Sequence, residues 1–146
     1  MSIELPAATL ARAVRAGERT AESVAAAHLD RIRALDERLH AFVTVTAEAA
    51  LADARRVDAT VAAGTAGALA GVPVAVKDLL AVRGVARSNG SGAFTGDAPA
   101  VADATVVARL RAAGAVVLGT THLHELAIGP TGVNPVMGTP RNPWHA

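Results

Sequence analysis

The 146-residue sequence contains no cysteine and only three aromatic residues, Phe42, Phe94 and Trp144. The absence of cysteine excludes disulfide bonds, thiolate nucleophiles and cysteine-ligated metal sites. Three aromatic rings offer little surface on which nucleobases could stack, and a net charge of +1 provides no general attraction for a polyanion. The composition therefore argues against direct binding of nucleic acid.

The sequence also lacks a long apolar run. The longest uncharged apolar stretch, residues 67–76, is far shorter than the roughly 20 residues that a transmembrane helix needs. Glu4 and Pro6 interrupt the N-terminus where a signal peptide would need an apolar segment. Because 51% of the residues are apolar and 18% are charged, we expect a folded cytoplasmic protein that contacts no membrane.

Lysine occurs only once, as Lys77, among 14 basic residues. Arginine stays protonated in proteins, whereas a lysine in apolar surroundings can lose its proton and act as a base. Lys77 follows the apolar run 71–76, which predicts a buried strand, and ligands of open α/β sheets bind at the carboxyl ends of strands. Asp78 comes next, but strand alternation directs it to the opposite face. Lys77 is therefore a candidate catalytic base, and the alternative is an ordinary solvated lysine.

The pattern of apolar residues changes near Gly64. Residues 1–63 are rich in alanine and predict a mainly helical segment. Beyond it, apolar runs at 71–76 and 116–118 flank a helical stretch, which predicts a βαβ unit with parallel strands. We predict a further helix that begins at Thr120 and breaks before Pro130. The fold class is therefore α/β, with residues 64–146 as the start of the α/β core.

Two other clusters could carry chemistry. His122 and His124 could ligate zinc from a strand, but residues at i and i+2 lie on different faces of a helix. Because we predict a helix there, we expect no metal site, although a metal-dependent hydrolase built on these histidines remains an alternative. The stretch 88–92 lacks the glycine spacing of a phosphate loop and the pattern of a nucleophile elbow, so it predicts a turn.

Four stretches of the sequence form an ordered set of motifs. They are residues 71–78 (GVPVAVKD), 103–119 (DATVVARLRAAGAVVLG), 125–129 (ELAIG) and 138–144 (GTPRNPW). This set resembles the amidase signature family, and the match covers nearly everything from residue 71 to the end. The first and last motifs are highly specific together, while the helical N-terminal third fits the family but is generic.

The resemblance implies a fold, an activity and site residues. The fold is the N-terminal portion of the amidase signature fold, in which leading helices precede a βαβ unit of a mixed, largely parallel sheet. The activity is hydrolysis of a carboxylic amide bond by a Ser–cis-Ser–Lys triad, in which Lys77 takes the place of the base. Ile128 and Gly129 would lie near the substrate pocket. No metal and no cofactor is implied.

The resemblance also implies that part of the active site lies elsewhere. In the family, the Gly/Ser-rich segment that supplies both serines follows the Arg-Asn-Pro-Trp motif, and here the sequence ends two residues after Trp144. We therefore expect residues 1–146 to be the N-terminal part of one amidase domain, inactive alone. Thr120 and His122 stand where the family often has lysine and asparagine, which leaves the subfamily open.

The expected partners follow from the same resemblance. A complete enzyme would act on a small-molecule amide, either as a homodimer or together with amidotransferase subunits. One alternative is the amidase subunit of a glutamyl/aspartyl-tRNA amidotransferase, for which glutamine is the ammonia donor. Another is a truncated, non-catalytic binding or assembly module.

Overall fold

The structure, a computed structural model, describes residues 5–144 and shows helices and strands together. In chain order they are α1 (Ala7–Arg15), α2 (Ala21–Leu39), β1 (Phe42–Val45), α3 (Ala47–Ala62), β2 (Pro73–Lys77), α4 (Thr105–Ala112) and β3 (Val116–Thr121). Short 3₁₀ turns span Gly92–Phe94 and Glu125–Ala127. This mixture confirms the predicted α/β class. None of the helices within residues 5–144 is both long enough and apolar enough to cross a membrane.

The chain divides into two compact units. The first unit comprises the chain up to Ile32 together with Thr46–Val74 and Ala108–Leu118. The second unit comprises Arg33–Val45, Ala75–Val107 and the chain from Gly119 onward. Lys77 and the loops that follow β2 and β3 belong to the second unit.

The core of the first unit combines alanine with valine and leucine side chains, many of them on α1, α2 and α3. Five of the twelve residues in its buried cluster are alanine, and the cluster as described includes no aromatic side chain. Gly71 contributes to the close packing, because a Cβ atom there would lie 3.0 Å from a methyl group of Val14. Alanine and glycine let neighbouring elements approach closely, which explains how this alanine-rich sequence fills a core without large rings.

The start of α2 is fixed by side chains that accept its free N–H groups. Asp58, on α3, accepts the Ala21 N–H at 2.6 Å and the Glu22 N–H at 3.1 Å. The Thr20 hydroxyl oxygen accepts the Ser23 N–H at 3.1 Å. The first turn of a helix has no intrahelical acceptors for these donors, so the contacts define where α2 begins.

The three strands form a mixed sheet in the order β1-β3-β2. In the first unit the Val116 N–H donates to the Val72 carbonyl at 2.8 Å, and in the second the Asp78 N–H donates to the Thr121 carbonyl at 3.1 Å. Both partners advance along the chain in the same direction, so β2 and β3 are parallel, as the predicted βαβ unit requires. β1 is antiparallel to β3.

The prediction of a helix from Thr120 was wrong. Thr120 pairs with Thr44, and Thr121 pairs with Phe42, so β3 continues through both threonines. Only the short 3₁₀ turn Glu125–Ala127 follows. Threonine is β-branched and favours strands, and the paired β1 offers hydrogen-bond partners that a reading of residues 120–129 in isolation does not reveal.

The prediction that β2 is buried on both faces was also wrong. Val76 is 4% exposed, but Ala75 and Lys77 are exposed. Within the described sheet β2 is an edge strand with only β3 beside it. Its apolar residues therefore do not all lie in the interior of the described chain.

Candidate active site

Lys77 is the last residue of β2, and its side chain is exposed. Its carbonyl accepts the Leu80 N–H at 2.9 Å, so the chain turns immediately after the strand. The strand alternates at this point, because Val76 and Asp78 are buried while Lys77 is not. The sequence placed Lys77 at a strand end correctly, but the apolar surroundings expected around it are not provided by the described residues.

Asp78 is fully buried and is held by Ser88. One carboxylate oxygen, Oδ2, accepts the Ser88 backbone N–H at 2.9 Å and the Ser88 hydroxyl at 2.5 Å. The other oxygen, Oδ1, has no hydrogen-bond partner within residues 5–144. No ion pair between Lys77 and Asp78 is present in the described chain, which agrees with the alternation of the strand.

The stretch 88–92 forms the turn that its sequence predicts. Asn89 and Gly90 have φ angles of 52° and 69°, and asparagine and glycine are the residues that most readily adopt this left-handed conformation. The Gly90 N–H donates to the Ser88 hydroxyl oxygen at 3.0 Å. The Asn89 N–H donates to the Asp78 carbonyl at 3.2 Å. The turn is therefore bound directly to the residue that follows Lys77.

Asn134 is a second fully buried polar residue, and no sequence motif singles it out. Its Nδ2 donates to the carbonyls of Gly90 at 2.6 Å and Leu123 at 3.0 Å. Its Oδ1 accepts the N–H groups of Val136 at 3.0 Å and Met137 at 2.9 Å. Asn134 precedes a proline, and asparagine at such a position often accepts backbone N–H groups two residues later, which is the signal that was available.

His122 lies at the end of β3 and is half-buried. Burial lowers its pKa from the ordinary value. Asp36, Asp78 and a backbone hydrogen bond at Phe42 act in the opposite direction, while the nearby His40 also lowers the pKa. Burial prevails, so the ring is neutral at pH 7. Its Nδ1 has no hydrogen-bond partner in the described part of the chain.

Ile128 and Gly129 follow the 3₁₀ turn and differ in their surroundings. Ile128 is 80% exposed. Gly129 lies against His124, since a Cβ atom there would come within 2.2 Å of the imidazole Cε1. Within the described chain Gly129 therefore serves packing, and the assignment of both residues to a substrate pocket remains a prediction.

The predicted helix over the His122–His124 segment, which argues against a metal site there, is not present. His122 follows the end of β3, and His124 precedes the 3₁₀ turn Glu125–Ala127. Even so, within residues 5–144 no group of three or more histidine, aspartate or glutamate side chains is arranged to hold a metal ion. The described geometry therefore adds no support for a metal-dependent hydrolase.

A family assignment follows from comparison with known proteins. The family model described as Amidase matches residues 23–146. The chain belongs to the amidase family.

Relatives of this amidase-family chain are considerably longer. A glutamyl-tRNA(Gln) amidotransferase subunit of Salinispora arenicola is 50% identical over 141 residues, which cover 96% of this chain and 28% of that protein. The peptide amidase of Stenotrophomonas maltophilia is 36% identical with a TM-score of 0.86, over 97% of this chain and 30% of that one. The chain thus spans less than a third of the length of either protein.

A further solved structure agrees closely with the backbone of this amidase-family chain. It belongs to a vestigial protein complex that reveals the evolutionary origins of an s-triazine catabolic enzyme. The two chains are 38% identical with a TM-score of 0.92, over 96% of this chain and 31% of the other. The α/β portion described above is therefore the matching portion of the amidase fold.

The contact between Gly129 and His124 predicts a large effect of a single methyl group. We expect Gly129→Ala to destabilise the protein by about 1–3 kcal/mol, because the new methyl group overlaps the imidazole ring. Urea unfolding measures the change. In the double variant with His124→Ala the overlap is absent, so the combined loss should be smaller than the sum of the two single losses. Additive losses would contradict the contact.

The lowered pKa of His122 predicts a loss of stability in mild acid. As the pH falls through about 6.5, the unfolded chain binds a proton at this histidine more readily than the folded protein does, so the stabilisation present at higher pH is lost. We expect His122→Gln to reduce the difference in unfolding free energy between about pH 7.5 and pH 5. An unchanged difference in His122→Gln would contradict the assignment.

Proposed function

We propose that this chain contributes Lys77 as the general base of an amide-hydrolysing active site that a further, C-terminal segment completes. The observation that carries the proposal is the position of Lys77, exposed at the carboxyl end of β2. Parallel α/β sheets bind ligands at this edge. The family assignment and the greater length of the relatives support the same view.

The proposed reaction is acyl transfer through serine. Lys77, as the neutral amine, accepts a proton from a bridging serine, which in turn takes the proton of the nucleophilic serine as that residue attacks the amide carbonyl. The tetrahedral intermediate collapses to an acyl-enzyme when the leaving amine receives the proton, and water then releases the acid. Both serines belong to the proposed C-terminal segment.

The serines near Lys77 in this chain have other roles. The Ser88 hydroxyl donates to the Asp78 carboxylate at 2.5 Å, and the Ser91 hydroxyl oxygen accepts the Ala93 N–H at 3.3 Å. A nucleophilic serine needs its proton directed to a base that can return it to the leaving group. Ser88 directs its proton to a buried carboxylate instead, which supports a structural role.

A second candidate is the amidase subunit of a tRNA-dependent amidotransferase. It is favoured by the 50% identity to the Salinispora arenicola protein over 96% of this chain. In that role the amide substrate is glutamine, and the ammonia released passes to a partner reaction in other subunits. Any contact with tRNA would come from those partners, since this chain carries a net charge of only +1.

The test combines this chain with a C-terminal part supplied separately. The partner piece is the portion of the Salinispora arenicola relative that follows the matched segment, and the assay measures ammonia from glutamine and amine from a simple aryl amide. We expect neither piece alone to hydrolyse an amide and the two together to do so. Hydrolysis by this chain alone would overturn the proposal. A stable but inactive pair, under conditions where the intact relative is active, would favour a non-catalytic assembly module.

The choice of amide separates the two candidates. Release of ammonia from glutamine that increases when amidotransferase partner subunits are added would favour the second candidate. Hydrolysis of the aryl amide without partners would favour an independent amidase. Below, "the complete enzyme" means this chain joined to the C-terminal part that its relatives carry.

A further inference from the structure

A buried carboxylate directly follows the proposed base. Asp78 is 0% exposed and Ser88 is 8% exposed. An ionised carboxylate is costly to remove from water unless hydrogen bonds replace its hydration. Ser88 supplies two of them to Oδ2, from its backbone N–H and from its hydroxyl. The hydroxyl bond, at 2.5 Å, lies within the range of hydrogen bonds from a hydroxyl to a carboxylate oxygen.

The main chain of Asp78 is held as firmly as its side chain. Its N–H donates to the Thr121 carbonyl at 3.1 Å, one residue beyond the end of β2. Its carbonyl accepts the Asn89 N–H at 3.2 Å. Together with Ser88 on the carboxylate, two parts of the chain therefore hold Asp78 by hydrogen bonds, Thr121 on one side and the adjacent Ser88 and Asn89 on the other. The peptide group that joins Lys77 to Asp78 has little freedom to rotate.

We propose that Ser88, acting through Asp78, is a positioning residue for Lys77. The lysine side chain has four flexible carbons, so the position of its nitrogen depends on the position of the Lys77 backbone from which the side chain extends. Asp78, on the opposite face of the strand, holds this part of the backbone in place, and Ser88 holds Asp78 through its hydrogen bonds. A displacement of about 1 Å in a catalytic group can cost on the order of 100-fold in rate. The inference rests on the proposed function, because it assumes that Lys77 reacts.

Ser91 provides a matched control in the same loop. It is 5% exposed, and so is buried much as Ser88 is. Its hydroxyl oxygen accepts the Ala93 N–H at the start of the 3₁₀ turn. Ser91→Ala removes the same atom from the same kind of surroundings but leaves the Ser88–Asp78 bond in place.

The experiment measures kcat and KM in the complete enzyme for four variants, each checked for folding by thermal unfolding. We expect Ser88→Ala to lower kcat about 30-fold with little change in KM, because substrate binding does not depend on the lysine stem. Ser88→Thr keeps the hydroxyl and should restore kcat to within about threefold of the unsubstituted enzyme. The kcat of Ser91→Ala should also stay within about threefold of that of the unsubstituted enzyme. Lys77→Met completes the set.

The outcomes separate this inference from the proposed function. Full activity in Lys77→Met would overturn the proposed function itself. With Lys77→Met inactive, an unchanged kcat in Ser88→Ala would overturn the positioning role alone. Equal losses in Ser88→Ala and Ser91→Ala, or a loss expressed mainly in KM, would show a general disturbance of the loop and would also overturn it.

A folding defect in Ser88→Ala does not end the test. Ser88→Cys keeps a side chain of similar size whose thiol is a weaker donor, and it is then measured by the same criteria. The positioning role predicts a kcat between those of Ser88→Ala and Ser88→Thr. If Ser88→Ala, Ser88→Cys and Ser91→Ala all lose the fold to the same extent, Ser88 has no role beyond packing and the inference fails.

Discussion

Replacement of Lys77 by methionine should lower kcat of the complete enzyme by about 1000-fold or more, the range that a positioned general base contributes. Methionine keeps an unbranched stem of similar length but has no nitrogen that could accept a proton. In this chain by itself Lys77 is exposed at the end of β2, so the change in its unfolding free energy, measured without the C-terminal part, should stay within about 0.5 kcal/mol. Activity and stability therefore respond independently, and initial rates together with urea unfolding measure both.

Lys77→Arg distinguishes a base from a cation. Arginine keeps a positive charge but does not lose its proton in proteins, so this variant should be as inactive as Lys77→Met. Arg83→Met, which removes an exposed cation elsewhere in the second unit, should leave kcat within about threefold. Substantial activity in Lys77→Arg would show that Lys77 acts through its charge and would contradict the assignment of Lys77 as the base.

Replacement of Asn134 by alanine should cause a large loss of stability. The carbonyls of Gly90 and Leu123 lose the hydrogen bonds that they accept from the Asn134 amide. Each buried polar group left without a hydrogen bond costs about 1–3 kcal/mol. The N–H groups that bond to Oδ1 belong to Val136 and Met137, which are not buried and can turn to water. We therefore expect a loss of about 2–5 kcal/mol in urea unfolding.

Asn134→Asp tests the same contacts with almost no change in shape. The new carboxylate would face two carbonyl oxygens that now receive hydrogen bonds, so its ionised form is disfavoured in the folded protein and its pKa rises above the ordinary value of about 3.9. A raised pKa means that the folded protein retains a proton that the unfolded chain releases. The destabilisation should therefore be smaller in mild acid and grow as the pH rises. If the difference in unfolding free energy between Asn134→Asp and the unsubstituted protein does not vary with pH, the orientation assigned to the Asn134 amide, with Nδ2 toward the two carbonyls, is contradicted.

The parts of the fold that the sequence predicted are those encoded by short local patterns. The apolar runs before Lys77 and around Val116 predicted β2 and β3, and the helical stretch between them predicted that the two strands are parallel. Lys77 was singled out because it is the only lysine in the sequence and directly follows a strand. These features need only neighbouring residues to be recognised.

The parts that were missed depend on partners far along the chain. β3 extends through Thr121 because β1 pairs with it, and no local sequence pattern near residue 120 predicts this pairing. Ser88 was predicted only as a turn residue, since its bond to Asp78 joins positions ten residues apart. Asn134 is separated by 44 residues from Gly90, whose carbonyl it binds. Contacts of this kind follow from tertiary packing and cannot be read from one stretch of sequence.

The exposure of Lys77 is the most informative difference from expectation. The sequence predicts apolar surroundings for Lys77, whereas the described residues leave its side chain exposed and bury Asp78 next to it in the chain. A base whose backbone is held in place and whose side chain is exposed, as for Lys77, is what we expect of an active site that another segment covers. In the proposed enzyme, that segment supplies both the nucleophile and the apolar surroundings.

Covalent labelling with a fluorophosphonate, which reacts with activated serines, tests the central claim most directly. In the complete enzyme, mass spectrometry of the digested protein should locate the label on a serine of the C-terminal part, and Lys77→Met should abolish the labelling. Ser88 and Ser91 should remain unlabelled. A label on either of these serines, or labelling that persists at full rate in Lys77→Met, would contradict the claim that this chain contributes the base and another segment the nucleophile.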